Sequence, residues 1–512
     1  MSRALLVVLP PVLALVVGLM VVDGEFVGDD QAAIVGNGVV VGTSPLEAAF
    51  TTDVWGTPLR DGATTYRPLM PVVRRIEWAL GGGSPLPFRI VTVLLHVLAV
   101  FFAGRWLRVL GLEPRIVAVV CAVFAVHAAN TEAVSALVGQ SDIASVLLGL
   151  AAMPLFDARA ARWGPAVGAF LLLLAVAVKE SALLFVLVAL VLTWLRPHPR
   201  RTLSTGLLVA LVVASVAVQL GVPRSAQTTT WNNSLGYDAH GIDRLVLGGY
   251  VVGRALQMLL VPVGLAPAHG FAAIDFRFET LAGYAIPGIV LGVLGLVAGA
   301  VAIRRRNAAW VTTLMLLFGP VVLMSHWVFP IMSDLPERLL YPACLGAALV
   351  LGAAVSRLPA LMDPPKLAFL GGAVVAFHLA LGFPARRAWR NDDALWLRAI
   401  TIEPLAVRAQ YNASNALVGL GRLDDAAWHR TVAIYLVNSY PASVDRGKLD
   451  ALAALGAARA WREAPRVLFP ESPCPLVVTL LNDAQRIDSA FVSFMLERHA
   501  ANYPACVRTA TP

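Results

Sequence analysis

Residues 1–30, MSRALLVVLPPVLALVVGLMVVDGEFVGDD, join an apolar run of membrane-spanning length to two adjacent carboxylates. A helix needs about 20 mostly apolar residues to cross a bilayer. Arg3 ahead of the run is also typical of a signal peptide, but no small-x-small cleavage site precedes Asp23. The stretch therefore predicts an uncleaved first span that leads into a loop with Asp29 and Asp30 near the membrane.

Apolar segments recur along the whole chain. Of its 512 residues, 58% are hydrophobic and 14% are charged, and the mean hydropathy is +0.73. A soluble core cannot accommodate this balance, whereas a multi-span membrane protein requires it. We predict an all-α, polytopic membrane bundle with about 11 spans. The candidate segments are 4–22, 88–110, 115–128, 132–155, 163–178, 181–195, 204–221, 281–302, 309–325, 339–356 and 367–384.

Lysine and arginine residues cluster in alternate loops between these segments. The clusters are Arg108 with Arg115, Arg159 with Arg162, Arg196 with Arg200 and Arg201, Arg304 to Arg306, and Arg357 with Lys366. Positive residues mark the cytoplasmic side of a membrane protein, so we expect a cytoplasmic N-terminus and a bacterial inner-membrane location. Residues 23–87, residues 222–280 and the C-terminal tail are then extracytoplasmic. Most of the net charge of +8 belongs to this bias, and we expect no nucleic-acid partner.

One further apolar segment, RLVLGGYVVGRALQMLLVP at 244–262, does not fit this alternation. If it crossed the membrane, Arg304 to Arg306 would lie on the wrong side. Arg254 in its middle would also be costly in lipid. The segment is therefore interpreted as an interfacial or re-entrant helix.

The chain divides into a membrane domain at 1–387 and a tail at 388–512. The first loop, 23–87, is too long for a simple connection, and long loops on a rigid scaffold commonly carry chemistry. In the tail, 411–444 resembles one tetratricopeptide repeat, and further helices are expected at 446–465 and 475–499. The repeat pattern rests on Leu417, Gly421, Ala426, Ala433 and Pro441.

Two cysteines of the tail, Cys474 and Cys506, leave two interpretations open. In an oxidising compartment they form a disulfide. Two free thiols fit the sequence nearly as well. Cys121 and Cys344 lie in predicted spans, where small buried core residues are the ordinary interpretation.

Ionisable residues gather at the predicted extracytoplasmic ends of the spans. Besides the aspartate pair they are Arg67, Glu132, Lys179, Glu180, Glu337 and Arg338. Such residues are costly there unless they face a cavity and pair with one another. His127, near Glu132, is either a hydrogen-bond donor to this cavity or a boundary residue.

A cavity lined by cations and carboxylates suits a lipid-linked phosphate substrate. Cations bind phosphate oxygens and stabilise the negative charge of a leaving group, while a carboxylate takes a proton from an attacking hydroxyl. Asp29 and Asp30 also have an ordinary interpretation as solvated acids beyond a span. The sequence contains no convincing metal-ligand set, P-loop or dinucleotide fingerprint.

Several ordered motifs resemble one family of enzymes. They are FVGDDQAAIVGN at 26–37, VWG at 54–56 with YRPL at 66–69, FAVHAANTEAVSALVGQSD at 124–142, the KE of AVAVKESALL, the 244–262 segment with its continuation VGLAP, and PERLLYPACLG. Together they are similar to the transmembrane and tetratricopeptide-repeat O-mannosyltransferases, within the C-type integral-membrane glycosyltransferases. One departure is Ala128, which follows His127 where the family commonly has a proline.

The resemblance implies a polyprenyl-phosphate sugar as donor, inversion at the anomeric carbon and a protein or envelope-glycan acceptor. It assigns the catalytic base to Asp29 or Asp30, and acceptor positioning to Glu132. Lys179 and Arg338 would hold the donor phosphate. Arg67 would help them, with supporting roles for His127, Glu180, Glu337 and Tyr341. No cofactor is required, although a divalent metal is compatible with the family.

The sequence is compatible with two functions. The first is a glycosyltransferase that moves a sugar, with mannose as the leading candidate, onto a hydroxyl. The alternative is a transporter, lipid flippase or scaffold whose tail docks a partner, with the same charges lining a substrate path. The charges gather at one membrane face rather than at the midplane, which favours the transferase.

Overall fold

The computed structural model describes residues 3–61, 65–157, 159–197, 199–222, 239–269, 281–331, 333, 335–438, 446–457 and 467. Helices dominate this part of the chain, and its one β feature is an isolated antiparallel bridge between Thr52 and Pro58. The predicted all-α class is confirmed. Cys474, Cys506 and the expected helix at 475–499 lie outside the described residues.

Fifteen α-helices are described as far as residue 388. They are α1 (Arg3–Leu19), α2 (Gly38–Val41), α3 (Leu69–Gly81), α4 (Leu86–Val109), α5 (Pro114–Val126), α6 (Thr131–Ser135), α7 (Gln140–Ala152), α8 (Gly164–Val178), α9 (Leu183–Leu195), α10 (Arg201–Gly221), α11 (Gly241–Leu260), α12 (Ile286–Arg304), α13 (Ala308–Met324), α14 (Tyr341–Ser356) and α15 (Pro364–Ala388). Each predicted apolar segment coincides with one or two of them.

Six described helical segments are long and apolar enough to cross a membrane, or seven if the bent pair α5–α6 is one span. The six are Leu86–Val109, Leu137–Phe156, Arg201–Gly221, Ala282–Arg304, Glu337–Ser356 and Pro364–Ala388. Four shorter apolar helices accompany them: Ala4–Leu19, Gly164–Val178, Glu180–Leu195 and Ala308–Met324. The protein is therefore an integral membrane protein, while the count of about 11 spans stays a prediction.

The bend between α5 and α6 amounts to 50° and is centred on His127. The backbone of His127 leaves the helical region with φ −51° and ψ 125°, and its ring fixes the break. Nε2 lies 3.0 Å from the carbonyl of Leu259, and Nδ1 accepts the N–H of Ala129 at 3.2 Å. The break ends one helix early and starts α6 with Glu132 in its first turn.

Helix α11 confirms a helix in the 244–262 segment, and its position relative to the membrane stays a prediction. Glycines bring it into backbone contact with the helices that follow. A Cβ on Gly253 would lie 2.1 Å from the carbonyl oxygen of Tyr284, and one on Gly288 would lie 1.9 Å from that of Gly249. Only glycine permits this approach, so α11 and α12 pack directly against each other.

Four helices are described in the tail: α16 (Asp392–Ile402), α17 (Val407–Gly419), α18 (Leu423–Asn438) and α19 (Arg446–Ala457). Gly421, with φ +70°, makes the tight turn between α17 and α18. Leu417 and Ala426 pack in a shared core there, as a helical repeat requires. Pro441 lies outside the described residues, so the repeat assignment stays a prediction.

The first loop and the tail share a second hydrophobic core. From the loop, Val27 and Ile34 enter it, and from the tail Trp396 and Ala409 do so. Arg89 at the start of α4 anchors the first loop by donating a hydrogen bond to the carbonyl of Glu25. Tail helices α16 and α17 are thus packed onto the loop that carries the aspartate pair.

Candidate active site

Arg338 joins two of the predicted catalytic carboxylates. Its Nη1 lies 3.3 Å from Asp29 Oδ2 and 3.1 Å from Glu132 Oε1, and its backbone N–H donates to Glu132 Oε2 at 2.8 Å. The three residues come from the first loop, α6 and the turn before α14. Their meeting defines the centre of the candidate site, which we call the Arg338 cluster.

A tail residue completes this cluster. Arg408, on α17, donates from Nη2 to Asp29 Oδ1, and its guanidinium lies over the ring of Trp396, 5.6 Å from the centroid. Asp392 Oδ1 accepts both the Trp396 indole N–H and the backbone N–H of Gly28, each at 2.9 Å. The tail therefore supplies one wall of the site.

The two guanidinium groups determine the charge of Asp29. Burial alone would raise the pKa of this carboxyl, but Arg408 and Arg338 outweigh that effect and lower the pKa to about 2. The Asp29 side chain keeps 19% of its surface exposed. It is an ionised carboxylate that solvent or a substrate can reach.

Asp30 has the opposite surroundings. It is fully buried and accepts the backbone N–H groups of Val27 at 3.1 Å, Leu137 at 3.4 Å and Val138 at 2.9 Å. Burial raises its pKa to about 6, against the opposing effect of Arg89 and these hydrogen bonds. Asp30 ties the first loop to the turn after α6.

Two further ion pairs flank the Arg338 cluster. Lys179 Nζ pairs with Asp142 Oδ1, both almost fully buried. Arg67 makes two hydrogen bonds to Glu180, at 2.9 Å and 2.6 Å. Since Lys179 and Glu180 are adjacent and Arg67 also interacts with Asp142, the two pairs form one layer that interacts with Arg338.

Glu337 points away from the Arg338 cluster. Its Oε1 accepts the N–H of Ala266 at 2.7 Å and lies 2.9 Å from His269 Nε2. His269 Nδ1 lies 2.8 Å from Oε1 of Glu403, in the tail. Burial opposes protonation of His269, but the two carboxylates prevail and raise its pKa to about 10. A charged imidazole thus links the tail to the residue next to Arg338.

Two other predicted site residues lie in the helix bundle. The Tyr341 hydroxyl is 2.8 Å from His96 Nδ1 and is fully buried. His127 fixes the α5–α6 break and lies against His378, with ring centroids 4.2 Å apart and the ring planes tilted by 37°. The structure therefore gives His127 the contacts of a boundary residue.

The structure also places here several residues that were not among the predicted site residues. They are Asp142, Arg408, His269, Glu403, Arg74 and Glu77. Asp142 had a usable signal, since a carboxylate inside a predicted span needs a partner. Arg74 and Glu77 on α3 are buried beneath Asp30, and burial raises the pKa of Glu77 to about 7. Nothing in the local sequence marks Arg408 or Glu403.

The arrangement can bind an anionic group and accept a proton side by side. Three cations, Arg67, Lys179 and Arg338, form a layer in which each is paired with a carboxylate, and Asp29 is an accessible carboxylate next to it. Among the described residues, no three His, Cys, Asp or Glu side chains are placed to hold a metal ion.

Comparison with known proteins gives related sequences but no match to a family model or a solved structure. Protein O-mannosyl-transferase Tmtc1 of Drosophila melanogaster is 40% identical over 142 residues, 27% of this chain and 16% of the relative. A protein O-mannosyl-transferase of Caenorhabditis elegans is 22% identical over 436 residues, 84% of this chain and 62% of the relative. Human protein O-mannosyl-transferase TMTC1 is 24% identical over 471 residues, 81% of this chain and 53% of the relative.

The matched segments thus span less than two thirds of these relatives' own lengths. Two of the three matches nevertheless extend over more than four fifths of this chain. The resemblance seen in the ordered motifs is confirmed: this chain is similar in sequence to proteins named as protein O-mannosyl-transferases, among them members of the transmembrane and tetratricopeptide-repeat group.

Proposed function

We propose that the protein is a glycosyltransferase that moves a sugar, with mannose as the first candidate, from a polyprenyl-phosphate carrier to a hydroxyl on a protein. The observation that carries this proposal is Asp29, an accessible ionised carboxylate held between Arg338 and Arg408 beside a layer of cations. The names of the related proteins support the class of reaction and the protein acceptor.

The cation layer would bind the donor phosphate. Transfer breaks the bond between the anomeric carbon and the phosphate oxygen, and the electron pair leaves on the phosphate. Arg338 and Lys179 would stabilise this charge, and Arg67 would extend the layer. Each of the three is paired with a carboxylate, so the phosphate would join a charge network that is already ordered.

Asp29 would act as general base. The acceptor hydroxyl attacks the anomeric carbon from the side opposite the phosphate and gives its proton to an Asp29 oxygen, so the configuration inverts. Glu132 contacts Arg338 through both its guanidinium and its backbone N–H. Its role would be to fix Arg338, together with acceptor positioning.

The proposal also includes the membrane face on which the Arg338 cluster lies and the lipid that carries the sugar. The arginine clusters in alternate loops favour an extracytoplasmic position for the Arg338 cluster, where the lipid carrier would present its sugar. The tail forms a wall of the site through Arg408 and Asp392, so a protein acceptor would meet tail and base together. An envelope glycan is the alternative acceptor.

Sugar transfer by the purified full chain tests this function. The assay supplies radiolabelled polyprenyl-phosphate mannose, and in parallel the glucose donor, with a protein fraction as acceptor. Asp29→Asn should reduce transfer by about 10²–10⁴-fold. Asp363→Asn, an exposed aspartate before α15 without a side-chain cap bond, is the matched control and should leave transfer unchanged.

A folded Asp29→Asn protein with full activity would exclude Asp29 as the base. No transfer from either donor, together with movement of labelled carrier lipid across vesicles, would favour the flippase alternative.

A further inference from the structure

A cavity lies at the end of the bundle opposite to the Arg338 cluster. It has a volume of about 730 Å³ and is enclosed by α1, the second half of α4 and the start of α5. Arg89, which donates to carbonyls of the first loop and of the end of α6, and Arg108, at the cavity, are both on α4. Nineteen residues of helix separate them by about 28 Å, which is nearly the thickness of the hydrocarbon core.

The cavity has an apolar interior and a positive rim. Val100, Phe101 and Val117 line its walls, while Arg108 and Arg115 lie at its edge and are exposed. Its volume is within the range of sites that hold one small ligand, about 300–1,000 Å³. An apolar pocket between apolar helices, with guanidinium groups at its rim, matches the shape and charge of an amphiphile.

Among the described residues that line the cavity, Glu113 is the one carboxylate, and it is already engaged. Glu113 Oε2 accepts the N–H groups of Arg115 at 2.9 Å and Ile116 at 3.1 Å, and its other oxygen lies 3.9 Å from the Arg115 guanidinium. The Arg108 Nε donates to the carbonyl of Gly104 at 3.2 Å. This bond leaves the two terminal nitrogens of Arg108 to meet an anion, and the rim keeps a net positive charge.

Helix α1 contributes polar backbone to the same cavity. Pro10 and Pro11 have no N–H and therefore cannot donate to the carbonyls of Leu6 and Val7, their helical partners. All four residues line the cavity. A ligand that brings hydroxyl donors as well as a negative charge would complement both features.

We propose that this cavity binds an anionic phospholipid, with one acyl chain between α1, α4 and α5 and the phosphate at Arg108 and Arg115. Charge complementarity selects the occupant, because a zwitterionic lipid offers the rim no net negative charge. The site is distinct from the proposed donor site, since the two lie at opposite ends of α4.

Native mass spectrometry of the purified full chain tests the proposal. Dioleoyl phosphatidylglycerol is titrated against dioleoyl phosphatidylcholine. The wild-type protein should retain phosphatidylglycerol more tightly, and Arg108→Ala/Arg115→Ala should weaken its binding by about tenfold. Both arginines are exposed, so the folded structure should tolerate their removal. Arg162→Ala, an exposed arginine stacked on Trp163, is the control and should bind like the wild type.

A second variant separates the cavity from its rim. A Cβ on Gly104 would lie 3.4 Å from Cys121 Sγ, so Gly104→Leu fills the space with limited backbone strain and should also lose phosphatidylglycerol. Equal binding of the two lipids, or phosphatidylglycerol binding that survives in the double arginine variant, would overturn the proposal. A third outcome would also contradict the cavity site: the double arginine variant loses phosphatidylglycerol binding, while a folded Gly104→Leu protein binds it fully. Binding would then depend on surface charge alone.

Discussion

Arg338 Nη1 lies 3.3 Å from Asp29 Oδ2, although 309 positions separate the two residues in the chain. The same nitrogen contacts Glu132. One guanidinium therefore bridges the proposed base and the carboxylate at the start of α6. This contact places the proposed phosphate-binding group beside the proposed proton acceptor.

Arg338→Ala should lower kcat/KM for sugar transfer by about 10²–10³-fold, because it removes the cation proposed to stabilise the leaving phosphate. Arg338→Lys should recover only part of this loss, since an ammonium cannot contact Asp29 and Glu132 with a planar fork. Steady-state kinetics with varied donor concentration measure both effects. Arg357→Ala, at the far end of α14, is the control; an equal loss there would attribute the effect to the fold.

Arg408→Ala should change the pH dependence of transfer. Burial raises the pKa of Asp29, and Arg408 is the stronger of two guanidiniums that lower it to about 2. Without Arg408 the pKa rises, so protonation of the base begins at a higher pH during acidification. The pH profile of kcat/KM should gain an acid limb absent from the wild-type profile above about pH 4. Identical profiles would show that Arg408 does not set the charge of the base.

Asp30→Ala should destabilise the protein by roughly 2–4 kcal/mol, because three buried N–H groups lose their acceptor. Thermal unfolding followed by tryptophan fluorescence should show a lower midpoint, and limited proteolysis should cut the first loop sooner. Asp30→Asn retains one acceptor oxygen and should lie between the wild type and the alanine variant. An unchanged midpoint for Asp30→Ala would contradict the structural role given to this residue.

The contact between His269 and Glu403 of the tail should weaken at alkaline pH. Its pKa is raised from about 6.5 in the unfolded chain to about 10 in the folded protein. The stabilisation is therefore complete below pH 6.5 and is lost as the pH rises through 10. The wild-type unfolding midpoint should fall over this window, and the midpoint of His269→Gln should fall less. Glu403→Gln is the matched test of the partner, and equal slopes for all three proteins would exclude this linkage.

The helices of the membrane body were predictable because lipid forces backbone polar groups into helices. Every apolar segment named from composition coincides with a helix. The number of spans was harder to predict, because Gly164–Val178 and Ala308–Met324 are apolar but short. Composition alone does not decide whether such helices cross.

The candidate site was predictable in its membrane residues and not in its tail residues. Lys179 and Glu132 stood out because charge near the ends of spans demands a partner. Arg408 carried no such signal, since an arginine on a tail helix is ordinarily solvated and its contact with Asp29 crosses 379 positions. The different environments of Asp29 and Asp30 could not be predicted either. The two residues are adjacent and share one sequence context, so only tertiary packing distinguishes them.

The glycine contacts between α11 and α12 also bear on how a bulky isoprenoid would enter. Gly249, Gly253 and Gly288 bring backbone against backbone at this contact, so the two helices are closely packed and should move as a single body. If the donor is the proposed polyprenyl phosphate, a lateral gate for its prenyl tail is expected at a seam between other helices, where side chains separate the backbones and rotamer changes can open a path.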